Sequence, residues 1–188
     1  MSLVWPARQY LDSYAGALRR GWGPDNLRET AQGAEQLARI AGDPDAFLAS
    51  LVDRQAAGDP IVLPDGSTVR RLPGYVRWMW DGEFCGTIGF RWQPETEELP
   101  PYCLGHIGYS VVPWKRGRGY ATAALHALLP EAAAEGLRYV EIMTGAGNDA
   151  SRRVIEKNGG VFVEEFVTLP SLGSRRELRF RIALEPTS

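Results

Sequence analysis

The chain has 188 residues, 44% of them hydrophobic, with 21 basic side chains, 23 acidic side chains and two cysteines. This length predicts a single domain that buries a core without disulfides or a structural metal, and the near-neutral charge argues against a general nucleic-acid binder. The first residues lack the basic and apolar regions of a secretory signal, and no apolar run approaches the roughly 20 residues that span a bilayer, so we expect a cytoplasmic protein with no membrane partner.

The N-terminal segment, residues 1–60, predicts helices, because apolar side chains recur in it at spacings of three and four. The first helix carries this pattern around Tyr10 and Leu18 and ends at the glycines that follow. A second helix is expected to begin behind an N-cap at Asp25 and to reach about residue 40. A third, shorter helix is expected over Asp45–Gln55.

Strands are expected after residues 58–74, which are rich in Pro, Gly and Asp and predict a loop with a small hairpin. The dipeptide Asp81-Gly82 is typical of a two-residue hairpin turn. Aromatic and β-branched residues predict strands on both sides of this turn, and another strand further along. The three strands are Tyr75–Trp80, Glu83–Trp92 and His106–Val112.

Strands and helices alternate in the last third of the chain. A helix from Tyr120 to about Glu135 contains Pro130, which should kink or shorten it. Asn148 or Asp149 is expected to cap the next helix, which ends near residue 157. The remaining predicted strands are Leu137–Thr144, Val161–Val167 and Glu177–Leu184. The expected order is therefore helices, three antiparallel strands, and then alternating strands and helices before a final pair of strands.

The most informative segment is the turn from Val111 to Ala121, which joins a predicted strand to a predicted helix. A glycine-rich turn before a helix presents unpaired backbone N–H groups, and this geometry holds phosphate. Pro113 cannot donate to a sheet ladder, so the strand must stop or splay there. A splayed strand leaves backbone groups free to pair with an extended, amide-containing ligand.

Two other interpretations of the turn remain open. Gly117 and Gly119 also allow a dinucleotide site in which Glu141 would bind a ribose. However, Thr122 stands at the third glycine position and fewer than 50 residues follow Glu141, too few for the repeated strand and helix units of such a fold. The turn could also be a plain basic connector.

Two motifs resemble the GNAT superfamily of acetyl-CoA-dependent N-acetyltransferases. Arg116–Ala121 matches its R/Q-x-x-G-x-G/A signature, and Asn148–Phe162 is similar to the N-x-x-S-x-x-v-i-E-K-x-G-x-x-F helix of the branch that contains ribosomal-protein N-terminal acetyltransferases. Gly105–Val111 also resembles the strand before the signature in one bacterial group. The resemblance covers Arg70–Leu184.

The resemblance implies an α/β (α+β) fold with a mixed, mostly antiparallel sheet of six to seven strands flanked by helices. Residues 1–188 would form one N-acetyltransferase domain, in which helical residues 1–60 cover the acceptor side and residues 70–184 bind the cofactor. Acetyl-CoA would be the cosubstrate, without a metal, and a small-molecule or peptide amine would be the acceptor, without nucleic acid. The protein would be a monomer or homodimer. The alternative is a non-catalytic acyl-CoA-binding or sensor module.

The resemblance also implies which residues hold acetyl-CoA. Val111 and Val112 would pair their backbone with the pantetheine arm. The signature turn and the residue after it, Arg116, Gly117, Arg118, Gly119, Tyr120, Ala121 and Thr122, would wrap the pyrophosphate. Asn148 and Ser151 would lie beside the pantetheine or the sulfur. Lys115 would add charge at the pyrophosphate. Arg152 or Arg153 would reach the adenosine phosphate, unless both lie on a solvated helix face.

Amine acetylation needs a base for the amine, a donor to the oxyanion and a proton for the thiolate. His106 is a candidate base because its ordinary pKa is about 6.5, and the alternative is a packed or structurally hydrogen-bonded residue. Glu141 is a second candidate base, because it faces away from its neighbours Val140 and Ile142 in the predicted strand.

The thiolate needs a proton donor that the family often supplies with a tyrosine. Ile155 occupies that position here. Ser151 could bind the sulfur or donate through water, or it could only cap its helix. Tyr109 and Tyr120 are further candidates. The two cysteines lie in no recognisable nucleophile setting, so we expect direct transfer in a ternary complex without an acyl-enzyme.

Overall fold

The computed structural model of the protein describes residues 1–24 and 29–185. The expected N-cap Asp25 lies outside the described residues. The elements of the first part are β1 (Ser2–Val4), α1 (Arg8–Arg19), α2 (Glu29–Gly42), α3 (Pro44–Ala49), β2 (Val52–Asp53), β3 (Ile61–Val62) and β4 (Thr68–Val69). The elements that follow are β5 (Gly74–Trp80), β6 (Phe84–Arg91), β7 (Ile107–Val111), α4 (Tyr120–Ala134), β8 (Tyr139–Gly145), α5 (Asp149–Lys157), β9 (Val161–Val167) and β10 (Arg176–Ala183).

The N-terminal segment contains strands as well as helices, which the sequence did not predict. β1 pairs antiparallel with β5. The third helix is shorter than expected, because α3 ends at Ala49 and β2 then pairs with β5. The Asp53 carboxylate accepts the N–H groups of Ala57 (2.8 Å) and Gly58 (3.0 Å), so a side-chain-stabilised loop forms where a helix was expected.

Helix α4 continues past Pro130 to Ala134, so the expected shortening does not occur. A proline removes one backbone donor from a helix interior. Leu128 and Ala132 on either side of it are fully buried in the core, and this packing holds the last turn in place.

The strands form two main sheets rather than one. The first sheet has the order β1-β5-β6-β7, with β2 also on β5, and the second has the order β8-β10-β9. All pairings in both sheets are antiparallel. This is the expected fold class, with antiparallel sheets flanked by helices. The sheet is divided because β7 and β8, which face each other, share no ladder among the described residues.

One hydrophobic cluster covers one face of both sheets, and a second covers the opposite face of the first sheet. One contains buried residues of α4 and α5, such as Leu125 and Ile155, against Ile88, Val140 and Phe180. The other contains the aromatic residues of the N-terminal helices. Its buried members are Leu11, Tyr14, Ala17, Leu18, Trp22, Phe47, Trp78, Phe84 and Val112.

The N-terminal helices are anchored by ring stacking. Tyr14 of α1 lies parallel to Trp78 of β5, with ring centroids 4.5 Å apart and an interplanar angle of 8°. These helices therefore lie on the face opposite to α4 and α5. In the described part of the chain, none of the helices combines the length and apolar character needed to cross a bilayer.

Candidate active site

The candidate site begins at an opening between β7 and β8, the last strand of one sheet and the first of the next. The two strands meet at one end, where the His106 N–H donates to the Glu141 carbonyl at 2.7 Å. Within residues 29–185 they do not pair along the rest of their length. We call this gap the β7–β8 opening.

The backbone of β7 presents alternate residues to the opening. Val112 donates its N–H to Cys85 of β6 at 2.9 Å. N–H groups alternate between the two edges of an antiparallel strand, so the N–H of Val111 is directed to the opening. The backbone N–H of Val111 is therefore available for the predicted pairing with pantetheine. The N–H of Val112 is already used, and its side chain is fully buried.

The signature turn follows β7 and ends at the N-terminus of α4. After a 3₁₀ turn at Pro113–Lys115, Gly117 and Gly119 both have φ +77°. This left-handed conformation is costly for residues with a Cβ. A Cβ at either glycine would meet no atom within 4 Å, so backbone conformation rather than space requires glycine. The turn is exposed and directs helix N-terminal N–H groups outward, as anion binding requires.

The charged side chains of the turn differ in their surroundings. Arg118 is exposed, while Arg116 is exposed and its Nε donates to the Val111 carbonyl at 3.1 Å. Lys115 is 3% exposed. Its Nζ lies 2.5 Å from Asp81 Oδ1 and 2.8 Å from Glu83 Oε1. The expectation that Lys115 adds charge at a pyrophosphate site was therefore wrong.

Lys115 belongs instead to a group that joins the signature turn to the β5–β6 hairpin. The Tyr120 hydroxyl, at the first position of α4, donates to the second oxygen of Asp81. We call Asp81, Glu83, Lys115 and Tyr120 the hairpin clasp. Hydrogen bonds from Lys115 and Tyr120 lower the pKa of Asp81 well below its usual range. Burial opposes the charge on Lys115, but its carboxylate partners outweigh burial and raise its pKa.

The start of α5 lies across the opening from β7. Asn148 caps the helix, its side-chain oxygen accepting the Ser151 N–H at 3.0 Å. The Ser151 hydroxyl lies 2.8 Å from the hydroxyl of Tyr109 on β7. Burial raises the pKa of Tyr109 to about 12, against a smaller opposing effect of Ser151. Two hydroxyl groups therefore meet between β7 and the start of α5, the helix that follows β8.

Other residues expected on the cofactor side have mainly structural contacts. The Asn158 amide donates to the Thr122 carbonyl at 3.2 Å and so joins α5 to the start of α4, next to the half-buried Ala121. Arg152 pairs with Glu156 at 2.7 Å on the exposed side of α5, the solvated face that was the alternative to phosphate binding. Ile155, at the position of the family's tyrosine, is fully buried.

His106 is a packed residue. It is fully buried, and its Nδ1 accepts the Glu141 N–H at 2.9 Å. Burial lowers its pKa to about 4 despite the nearby Glu141. The burial and the backbone hydrogen bond favour the packed alternative. Its contacts fix the point at which β7 and β8 meet.

Glu141 faces away from Val140 and Ile142, as alternation predicts, and is 8% exposed. Its Oε1 lies 2.7 Å from Arg181 Nη2 and its Oε2 lies 3.7 Å from Arg179 Nη1. Sequence reasoning missed both arginines as partners. The alternation of β10 places them on one face, but only the register, with Arg181 opposite Glu141, brings them to this carboxylate.

The cysteines are not activated. Burial raises the pKa of Cys85 to about 11, and burial also raises the pKa of Cys103. Thiolates are the reactive form of cysteine, so neither is set up to carry an acyl group. Among residues 1–24 and 29–185, no group of three or more His, Cys, Asp or Glu side chains could hold a metal ion.

The two sheets thus part beside an exposed glycine turn at a helix N-terminus, a geometry that can hold an anion. A model of the GNAT acetyltransferase domain matches residues 26–161, more than half of the chain. The chain therefore belongs to the GNAT acetyltransferase family and is an acetyltransferase. The comparison with curated proteins found no match.

Solved structures share this fold at low sequence identity. The microcin C7 self-immunity acetyltransferase MccE, in complex with acetyl-CoA and AMP, has a TM-score of 0.63 at 14% identity over 97% of this chain and 91% of its own. RimL, the ribosomal L7/L12 α-N-protein acetyltransferase in complex with coenzyme A, has a TM-score of 0.62 at 13% identity over 98% of this chain and 94% of its own. A point mutant of the spermidine N-acetyltransferase SpeG from Vibrio cholerae has a TM-score of 0.57 at 12% identity over 97% of this chain and 95% of its own.

Proposed function

We propose that the protein transfers the acetyl group of acetyl-CoA directly to a primary amine within a ternary complex. The observation that carries this proposal is the arrangement of the β7–β8 opening. The exposed glycine turn lies at the end of β7, and the contact between Tyr109 and Ser151 spans the same gap. A turn suited to phosphate, a strand edge suited to an extended amide and a pair of hydroxyl groups thus border the same opening.

Acetyl-CoA would bind with its pyrophosphate on the main chain of Arg116–Ala121 at the N-terminus of α4. Its pantetheine arm would enter the opening and pair with the backbone of Val111. The side chains of Arg116 and Arg118 are exposed beside the turn and would add positive charge. The Tyr120 side chain would contribute indirectly, because its hydroxyl donates to Asp81 in the hairpin clasp.

In the reaction, the amine nitrogen attacks the thioester carbonyl carbon. A C–N bond forms, the C–S bond breaks, the amine loses one proton and the CoA thiolate gains one. We assign the acceptance of the amine proton to Glu141, directly or through water. The protonation of the thiolate is assigned to the Ser151 hydroxyl with Tyr109 behind it, because both hydroxyls remain protonated at neutral pH. His106 takes no part in proton transfer.

The function is tested by measuring free CoA release with acetyl-CoA and a panel of primary amines, with mass spectrometry of the products. Acetylated amine and stoichiometric CoA support the proposal. A stable acetyl adduct on Cys85 or Cys103 during turnover would contradict direct transfer.

The proton route is tested with Tyr109→Phe and Ser151→Ala. We expect the double variant to lower kcat about 100-fold, within the usual range for general acid catalysis, while the KM of acetyl-CoA stays the same. Tyr102→Phe is the matched control, since its hydroxyl donates to the Arg70 carbonyl at the surface. An unchanged kcat in the double variant would remove Tyr109 and Ser151 from the mechanism.

The second candidate function is a non-catalytic acyl-CoA-binding module. Ile155 favours it, because a buried aliphatic side chain stands where the family often has its acid. Calorimetric binding of acetyl-CoA without acetylation of any amine in the panel would support the module.

A further inference from the structure

Arg91 of β6 lies on the face of the first sheet that carries the N-terminal helices. Its neighbours Phe90 and Trp92 pack in the cluster that contains α4 and α5. Side chains alternate between the two faces of a strand, so Arg91 is directed away from α4 and α5. Gly89 shares this face with Arg91 for the same reason.

Gly108 of β7 lies on the same face, directly opposite Gly89 in the strand register. Tyr109 packs on the α4 side, whereas Ser110 accepts the Nε1–H of Trp22 from the N-terminal segment at 3.1 Å. Alternation therefore places Gly108 with Ser110. Because β7 borders the β7–β8 opening, Gly108 stands at the edge of that opening.

The guanidinium of Arg91 reaches over Gly108. Its Nη2 lies 3.0 Å from the position that a Cβ of Gly108 would occupy, and no other described atom lies within 4 Å of that position. A Cβ at Gly89 would have its nearest contact at 3.7 Å. All three residues are half-buried. We call Gly89, Arg91 and Gly108 the Arg91 platform.

The charge of Arg91 is unpaired, unlike that of the other arginines in the described strands. Arg91 makes no ion pair and donates no side-chain hydrogen bond within residues 1–24 and 29–185. The other strand arginines all pair with carboxylates, namely Arg77 with Glu131, Arg176 with Glu165, Arg179 with Glu164 and Arg181 with Glu141.

Two titratable groups that sense the charge of Arg91 are neutral at pH 7. Burial lowers the pKa of His106 to about 4, and Arg91 lowers it as well, against the effect of Glu141. Burial raises the pKa of Cys103, and Arg91 opposes that rise. Neither group compensates the guanidinium, whose planar donors match a carboxylate.

The platform also lies where an acceptor must approach. Gly108 precedes Tyr109, whose hydroxyl meets Ser151 on the α5 side of the opening. A thioester whose sulfur faced these hydroxyl groups would leave its carbonyl carbon open to attack from the side of Gly108. A carboxylate on Arg91 would lie over Gly108, and a nitrogen joined to it by a short linker would remain free to reach the thioester.

We propose that the Arg91 platform binds a carboxylate of the acceptor, so that the substrate is an amino acid, a primary amine with one carboxylate close to its nitrogen. This proposal rests on the proposed acetyl transfer and names its substrate class. One arginine matches one negative charge, whereas a phosphate monoester carries about −1.5 to −2. Polyamines are excluded as preferred acceptors, because Arg91 repels their further ammonium groups.

Binding is tested by calorimetry with the CoA complex, without turnover. The probes are the standard α-amino acids, β-alanine and 4-aminobutyrate, each compared with its primary amide, which keeps the amine but removes the negative charge. At least one acid should bind about 30-fold more tightly than its amide. A hydrogen bond to a charged group contributes roughly 2 kcal/mol, and about 1.4 kcal/mol is a factor of ten. If no acid bound, or none bound more tightly than its amide, the proposal would be overturned.

The site is tested with Arg91→Gln, which should abolish the preference for the acid while Tm stays the same, because Arg91 has no partner among the described residues. Arg19→Gln is the matched control, since it removes the same charge from the exposed end of α1. An acid that bound equally well to Arg91→Gln and to the wild type would remove Arg91 from the site.

A second variant, Gly108→Ala, keeps Arg91 but adds a methyl group 3.0 Å from its Nη2. It should weaken binding of the acid more than binding of the amide. An unchanged ratio of the two affinities would show that the carboxylate does not lie over Gly108.

Binding and turnover separate this proposal from acetyl transfer. Binding of an acid that depends on Arg91, without acetylation by acetyl-CoA, would support the platform and overturn only the transfer. Acetylation of spermidine with a higher kcat/KM than that of every acid would support the transfer and overturn the platform.

Discussion

Replacing Lys115 with Met tests the hairpin clasp directly. The side chain of Lys115 is 4% exposed, and its Nζ holds Asp81 and Glu83 at 2.5 and 2.8 Å. Methionine keeps most of the length and apolar volume but removes the charge. Asp81 and Glu83 would then face each other without a cation, at the base of the turn proposed to bind pyrophosphate.

The size of the effect follows from the burial of the three groups. Removing one partner of a buried ion pair typically costs about 3–5 kcal/mol. The side chain of Asp81 is 19% exposed and that of Glu83 is 61% exposed, so water screens part of the loss. We therefore expect a loss near the lower end, about 3 kcal/mol of unfolding free energy. For a chain of this size it corresponds to a fall in Tm of roughly 6–12 °C.

The assay is urea and thermal unfolding followed by circular dichroism, together with the KM of acetyl-CoA. Lys157→Met is the control, because it makes the same change at the other lysine, which is exposed at the end of α5. We expect Lys157→Met to stay within about 0.5 kcal/mol of the wild type. If Lys115→Met also stayed within that range, the clasp would not contribute as argued.

Three further outcomes are expected. The difference in unfolding free energy between wild type and Lys115→Met should shrink in acid. The folded-state pKa of Asp81 is lowered, so its stabilisation is complete above the unfolded pKa of about 3.9 and is lost as the pH falls through the folded pKa. Urea unfolding between pH 7 and 2 measures this change. Gly119→Ala should raise the KM of acetyl-CoA, because an alanine at φ +77° costs about 1–2 kcal/mol; Gly16→Ala, within α1, should leave it unchanged. Trp78→Ala should lose about 3–5 kcal/mol in the same unfolding assay, since its ring is fully buried, and a loss below about 1 kcal/mol would contradict the packing of Trp78 against Tyr14.

Local features of the fold were predictable because they depend on neighbouring residues. Asp81-Gly82 indicated a hairpin turn, and Gly82 has φ +107° between β5 and β6. Alternation indicated that Glu141 faces away from Val140 and Ile142, and those two residues do pack in the cluster with α4 and α5 while Glu141 pairs with Arg181. The signature turn was placed at the start of α4 on the same local grounds.

The partners of these residues were not predictable, because they depend on contacts between distant parts of the chain. Asp81 and Lys115 are 34 positions apart, and Arg181 reaches Glu141 across 40 positions. A lysine beside a phosphate-binding motif favours phosphate contact from sequence alone, until the hairpin that neutralises it is known. β1 was missed for another reason, since three residues are too few for a periodic pattern.

The single contact between the two sheets has a consequence for ligand binding. The strands of the two sheets touch only near His106 and Glu141 and then diverge, so within the described chain β7 and β8 each keep one edge without a strand beside it. A pantetheine chain that pairs with Val111 would take the place of a missing strand. The cosubstrate would then complete the β-structure that the polypeptide leaves interrupted, and the two halves of the molecule would unfold as a more cooperative unit with CoA than without it.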